Sequence, residues 1–152
     1  MQQRLYFEQL IDRPELKKLS IILLTGNSHQ AIAACDAALV ASGTATLEVA
    51  LFKKPMVIAY RVAWLSYQLM RHMAYLPWIG LPNILLNESV VPEFVQHAAT
   101  PQALAEAIIA QLHDAPGRAQ LAERFAGLHQ DLRRNTGERA AEAIFALMER
   151  GA

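Results

Sequence analysis

Apolar residues come in short blocks along this chain, and the spacing inside each block predicts the element it forms. From Gln2 to Ile11 the apolar positions Leu5, Phe7, Leu10 and Ile11 suit a helix, and Pro14 closes it. Residues 19–25, LSIILLT, form a continuous run rich in Ile and Leu, which predicts a buried strand. Gly26-Asn27 punctuates that run, and Ser28 can cap a helix reaching Ala34. A second apolar run, DAALVAS at 36–42, leads through a short helical pattern at 44–52 into a third, PMVIAY at 55–60. Strand, helix and strand in that rhythm predict an α/β domain whose sheet is parallel with helices on both faces.

Beyond Tyr60 the pattern changes to a helix of large side chains, VAWLSYQLMRHMAYL, and then to the irregular PWIGLPNILLNESVVP. Pro92 suits a first helical turn, which predicts a short helix through His97. Thr100-Pro101 starts another helix with Leu104, Ala107, Ile108 and Leu112 on one face, ended by Pro116-Gly117. Two more helices follow, from about Arg118 to Arg133 and from Gly137 to Arg150. The division expected is a core over 1–115 and carboxy-terminal helices over 116–152. A nucleotide-binding domain of the doubly wound kind normally opens with a strand and a glycine-rich turn, whereas this chain opens with a helix. The sheet is therefore small, or the chain is a piece of something larger.

Composition narrows the class. The 152 residues, 53% of them hydrophobic, suffice for one sizeable core. Fourteen basic residues balance fourteen acidic ones, so no chain-wide charge favours nucleic acid. Cys35 is the only cysteine, which excludes an internal disulfide and fits a reducing compartment such as the cytoplasm. It adjoins Asp36 in an apolar setting and reads as a buried structural thiol. The apolar stretch from Val62 to Leu81 is broken by Arg71, His72 and Pro77 and makes a poor membrane span. Five scattered histidines lack the spacing of a metal site.

Ser42-Gly43-Thr44 carries the first chemical signal. In open parallel sheets ligands bind at the carboxyl ends of strands, where helix starts offer unpaired N–H groups. Gly43 lets backbone approach an oxyanion, with two hydroxyls beside it, so the turn can cradle a diphosphate; the simpler reading is a helix cap from Ser42 or Thr44. Glu48 cannot close a capping box, because the third residue after Ser42 is Ala45 and after Thr44 is Leu47. It falls four residues after Thr44, on the same helical face. On a short apolar helix that carboxylate needs a partner, either a pair of ribose hydroxyls or Lys53 or Lys54.

Taken together, ASGTATLEVALFKKPMVIAYR, GLPNILLNESVVPEFVQ and the closing NTGERAAEAIFALM resemble the carboxy-terminal half of bacterial lipid-A-disaccharide synthase. Several motifs in the same order over nearly the whole chain carry the resemblance. It implies the incomplete carboxy-terminal, Rossmann-like domain of a two-Rossmann-domain glycosyltransferase, with no cofactor and no metal. That family joins UDP-2,3-diacylglucosamine to 2,3-diacylglucosamine 1-phosphate, releasing UDP. Matched by position, Ser42, Gly43 and Thr44 would hold the diphosphate and Glu48 the ribose, with Asn83 near the diphosphate or donor sugar. Gly26, Asn27 and Ser28 would border the uracil. Asn87 stands where the family often has glycine. The acceptor domain, where the family's catalytic acidic residue is expected, is absent, so the chain reads as a fragment that binds donor and is inactive alone. Another UDP-sugar transferase or epimerase, or a non-catalytic oligomerising module, are the rival readings.

Trp64, Tyr67, Tyr75 and Trp78 interleave with Arg61, Arg71 and His72. Docking peripherally on the inner membrane and packing against protein both account for that pattern, and truncation would expose it to homodimer formation.

Overall fold

The computed structural model describes residues 2–41, 43–64, 66–68, 76–133 and 135–150. The chain divides into two compact units, residues 1–31 and 32–152. In the first, helix α1 (Gln2–Ile11) carries an Arg4–Glu8 ion pair one turn apart, and turns follow it, with the amide of Leu16 on the carbonyl of Arg13. The run 19–25 is not a strand. Its residues lie exposed, Ile22 at 78% and Leu24 at 56%. The correction has a physical cause: apolar composition makes a segment fit a sheet, but a strand exists only where a second strand takes its N–H and C=O groups. Helix α2 (Ser28–Ala34) spans the division between the units.

The second unit is built on a parallel sheet, β1 (Ala38–Ala41), β2 (Met56–Tyr60) and β3 (Glu93–Val95), in that spatial order. Ala38 is opposite Met56, and Ile58 opposite Glu93. The runs 36–42 and 55–60 thus form strands as their composition predicts. Helix α3 (Thr44–Leu51) crosses between β1 and β2, α4 (Leu81–Leu86) precedes β3, and a single 3-10 turn (Gln96–Ala98) follows it. Three long helices complete the chain: α5 (Pro101–His113), α6 (Ala115–Leu132) and α7 (Thr136–Arg150).

Side chains alternate across β1. Val40 faces a core with Val49, Ala50, Met56, Ile58, Val91, Leu121 and Phe125, which joins the sheet to α3 and α6. Leu39 points the other way and lines a cavity of about 420 Å³ with Leu104 and Ile108 of α5. Phe125 is fully buried; truncation to Ala at such a position removes about 3–5 kcal/mol.

Two sequence expectations fail around Pro92. LPN, inside the stretch expected to be irregular, is the start of α4, because Pro suits the first helical turn and Gly80 in extended backbone leads into it. Pro92 opens a strand, not a helix. Its carbonyl accepts from the amide of Ile58, and pairing with β2 overrides the local helical preference. Asn87 ends α4 in the left-handed conformation, φ 50°, with the amides of Asn87 and Glu88 on the carbonyls of Ile84 and Asn83. That conformation explains how Asn serves where glycine is usual.

Candidate functional site

β1 ends at Ala41, and the chain passes through residue 42 into α3. Ser42 lies outside the described residues. Gly43 has φ 128° and ψ −163°, a combination open essentially to glycine alone. No atom lies within 4 Å of where a Cβ would sit, so backbone conformation and not crowding demands glycine here. Gly43 is the residue before α3, and as a glycine it has no side chain with which to cap that helix. Thr44 does not cap it, being inside the first turn, and its side chain is exposed. The opening amides of a helix lack the partner four residues back that later ones have; at α3 the amide of Thr46 is taken by the carbonyl of Gly43 at 3.1 Å.

Thr46, which the sequence reading passes over, fixes this turn. It is fully buried, and its hydroxyl donates to the carbonyl of Gly43 at 2.7 Å. The same oxygen accepts the amide of Leu81 at 3.3 Å, tying α3 to the start of α4. Glu48 follows on α3, half-buried and already engaged in an interaction. The lysines weighed as its partners reach elsewhere as well: Lys53 Nζ meets the carbonyl of Leu51 at 2.7 Å and His129 Nδ1 at 2.8 Å, and Lys54 Nζ donates to the carbonyl of Cys35. Cys35 itself is only half-buried, its thiol donating to the carbonyl of Ile32.

Asn83 is the residue expected near the diphosphate or donor sugar. It is fully buried, and its amide is saturated: Nδ2 donates to the carbonyl of Val91 and to Glu93 Oε1, while Oδ1 accepts from the amides of Val90 and Val91. Both donors and both acceptor positions are taken. Glu93 adds the amides of Ile79 at 2.8 Å and Gly80 at 2.9 Å to that network. Gly80 is needed for this approach, since a Cβ there would fall 2.2 Å from the Ile58 side chain and 3.0 Å from Glu93 Oε1. Neither Thr46 nor Glu93 carries a sequence signal beyond its position three residues after Gly43 or just after Pro92.

Gly26, Asn27 and Ser28 belong to the first unit; all three are exposed, and Gly26 has φ 85°. At the carboxyl ends of β2 and β3, Gln96 donates from Nε2 to the carbonyl of Val62 at 3.0 Å and accepts the amide of Val62 at 3.2 Å. The side wall of a cavity of about 490 Å³ is fixed by that pair. Away from this edge, Arg124 of α6 makes a two-pronged ion pair with Glu88 in the loop after α4. The guanidinium hydrogen bonds lower the Glu88 pKa from its ordinary value and raise that of Arg124. Among the described residues there is no group of three ligands that could hold a metal, and no helix long and apolar enough to cross a membrane.

Comparison with known proteins adds a family. The model of a family described as lipid-A-disaccharide synthetase matches residues 3–144. The lipid-A-disaccharide synthase of Aromatoleum aromaticum is 54% identical over 147 residues, 97% of this chain and 38% of that protein. That of Thiobacillus denitrificans is 61% identical over 131 residues, 86% of this chain and 35% of the relative. That of Paraburkholderia phymatum is 53% identical, over 86% of this chain and 34% of the relative. The chain thus spans less than two-fifths of the length of the curated relatives it matches.

Proposed function

Because the chain belongs to the lipid-A-disaccharide synthase family, we propose that it is the donor-binding part of a glycosyltransferase of lipid A synthesis. The substrates on this reading are UDP-2,3-diacylglucosamine and 2,3-diacylglucosamine 1-phosphate. One observation carries it: α3 starts from a glycine-only backbone conformation at the carboxyl edge of a parallel sheet. A diphosphate there receives the opening amides of α3 and the positive end of its dipole. Gly43 brings the backbone to the oxyanion, and Ser42 and Thr44 contribute hydroxyls. Glu48, one turn along, accepts from the ribose hydroxyls. Asn83 contributes by holding the start of α4 in place.

Transfer needs stabilisation of the leaving diphosphate and a base for the acceptor hydroxyl. The first comes from the start of α3. The base belongs, on this reading, to the part of the family's proteins that this chain does not span. Trp64 and Tyr67 would meet the surface of the inner membrane that holds acylated substrates, and the exposed apolar side chains of α7, Phe145 and Leu147 among them, would serve a homodimer.

Calorimetric titration with UDP tests the donor site. Binding is expected for the chain as it stands, with Glu48→Ala about tenfold weaker through loss of a charge-assisted hydrogen bond. Absence of heat at millimolar UDP would sink donor binding by this chain, and equal affinity of Glu48→Ala would remove the ribose role.

A further inference from the structure

We propose that Glu93 is a positioning residue for the Gly43 turn, an inference that rests on the donor-site reading above and names a side chain on which the shape of that site depends. Glu93 opens β3 with its backbone opposite Ile58 of β2. Its peptide belongs to the sheet, while its carboxylate reaches the segment that leads into α4. Both oxygens are used there: Oε2 accepts the amide of Ile79 at 2.8 Å, and Oε1 accepts the amide of Gly80 at 2.9 Å and Asn83 Nδ2 at 2.8 Å.

Thr46 continues what Glu93 begins. The next amide, that of Leu81, goes to the Thr46 hydroxyl at 3.3 Å, and the same hydroxyl donates to the carbonyl of Gly43 at 2.7 Å. Three successive amides, 79 to 81, are thus held by side chains from two other elements, β3 and α3. A hydroxyl has one proton to give. With the Leu81 amide on its lone pair, the Thr46 proton is directed to Gly43, and linked hydrogen bonds strengthen one another where water is excluded. Thr46 and Gly80 are both buried, so a bond lost here is not replaced by solvent. Glu93 therefore fixes Gly80, Gly80 carries Leu81, and Leu81 orients the hydroxyl that holds Gly43.

The chemistry of the position calls for glutamate. Glutamine would turn an NH2 group toward N–H donors that already point at that place. Aspartate keeps both oxygens and falls one methylene short. A side chain that served the fold alone would lower stability when replaced and leave the geometry of Gly43 as it was.

The test measures two quantities in the 152-residue chain, the carbonyl carbon resonance of Gly43 by NMR and the affinity for UDP by calorimetry. They are compared between the wild type, Glu93→Gln and a Phe125→Leu control, each at the same interval below its own melting temperature. Phe125 is a fully buried core residue that takes no part in these hydrogen bonds. In Glu93→Gln the Gly43 carbonyl should move and UDP affinity should fall about fivefold or more. Neither should change in Phe125→Leu. Glu93→Asp should repeat both changes, and stands in for Glu93→Gln if that variant does not fold. The proposal is overturned if the Gly43 carbonyl stays in place, if UDP affinity is unaltered, if Phe125→Leu reproduces the changes, or if both Glu93 variants are unfolded. A wild type that binds UDP with a Gly43 carbonyl indifferent to Glu93 removes the positioning role and leaves the donor site. A wild type that gives no heat with UDP, while Glu93→Gln moves the Gly43 carbonyl, removes the donor site and leaves Glu93 as the residue that sets the turn.

Discussion

The starts of α3 and α4 stand side by side at one edge of the sheet, joined through Thr46, and they meet the same chemical demand in opposite ways. At α4 the amides of Ile79 and Gly80 are received by Glu93, that of Leu81 by Thr46, and Pro82 has none to offer. At α3 the N-cap is a glycine with no side chain to offer, and the amide of Thr46 turns to the carbonyl of Gly43. One helix start is held by side chains from other parts of the chain; the other begins on bare backbone at Gly43. Elsewhere the chain caps its helices in the ordinary way, Thr100 receiving the amide of Ala103 and Asp114 that of Gly117. The lesson is that two helix starts at one sheet edge can be built from opposite materials, a carboxylate and a hydroxyl at one and glycine backbone at the other.

Substitutions can break this contrast in graded steps. Asn83→Leu should have the largest effect, because it takes the side-chain acceptor from the buried amide of Val91 and the side-chain donor from its carbonyl; a loss of about 3–5 kcal/mol is expected by chemical denaturation. A loss under a third of that would show that the α4 side is not held by its buried amide. Gly43→Ala meets no steric obstacle but must adopt a glycine-only conformation, costing about 1–3 kcal/mol and displacing the turn. Here UDP affinity should fall more than stability does, and an unaltered affinity would separate the turn from the donor site.

Thr46→Val keeps the side-chain shape and removes the hydroxyl that links the two helix starts. About 1–2 kcal/mol of stability should go, together with part of the UDP affinity, and Thr46→Ser should restore both. Restored stability without restored binding would mean that the hydroxyl does not position Gly43. The smallest effect is expected at Glu88. Its pKa is lowered in the folded state by Arg124, so its stabilising contribution exists above the ordinary glutamate range and is lost as pH falls through the lowered value. Arg124→Gln should therefore flatten the acid side of the stability profile slightly and leave UDP binding alone; an unchanged profile would show the exposed pair to be energetically silent.

Much of the frame was legible from residue order. The runs at 36–42 and 55–60 with a helical pattern between them specify two parallel strands and a crossover, since βαβ spacing admits few alternatives. Thr100 was legible as the start of α5 because its hydroxyl acts within its own turn. What failed depends on distant partners. The run 19–25 has the composition of a strand and, among the described residues, no strand beside it, whereas Glu93–Val95 is only three residues long and exists because β2 is there to pair with. Gly43 could be singled out from its neighbours alone. Thr46, Glu93 and the inward use of Asn83 could not, because their hydrogen-bond partners lie up to 35 residues away.

The Gln96 side chain has a consequence for engineering. An amide group carries the same donor and acceptor as a peptide unit, so Gln96 supplies to Val62 what one more residue of β3 would have supplied. It acts as a prosthetic length of backbone, lengthening the sheet by a rung after the main chain has turned away. Glutamate has the reach without the donor, and asparagine the donor without the reach. Glutamine is thus the side chain that can imitate a strand at this spot, and replacing it would shorten the sheet without altering any strand.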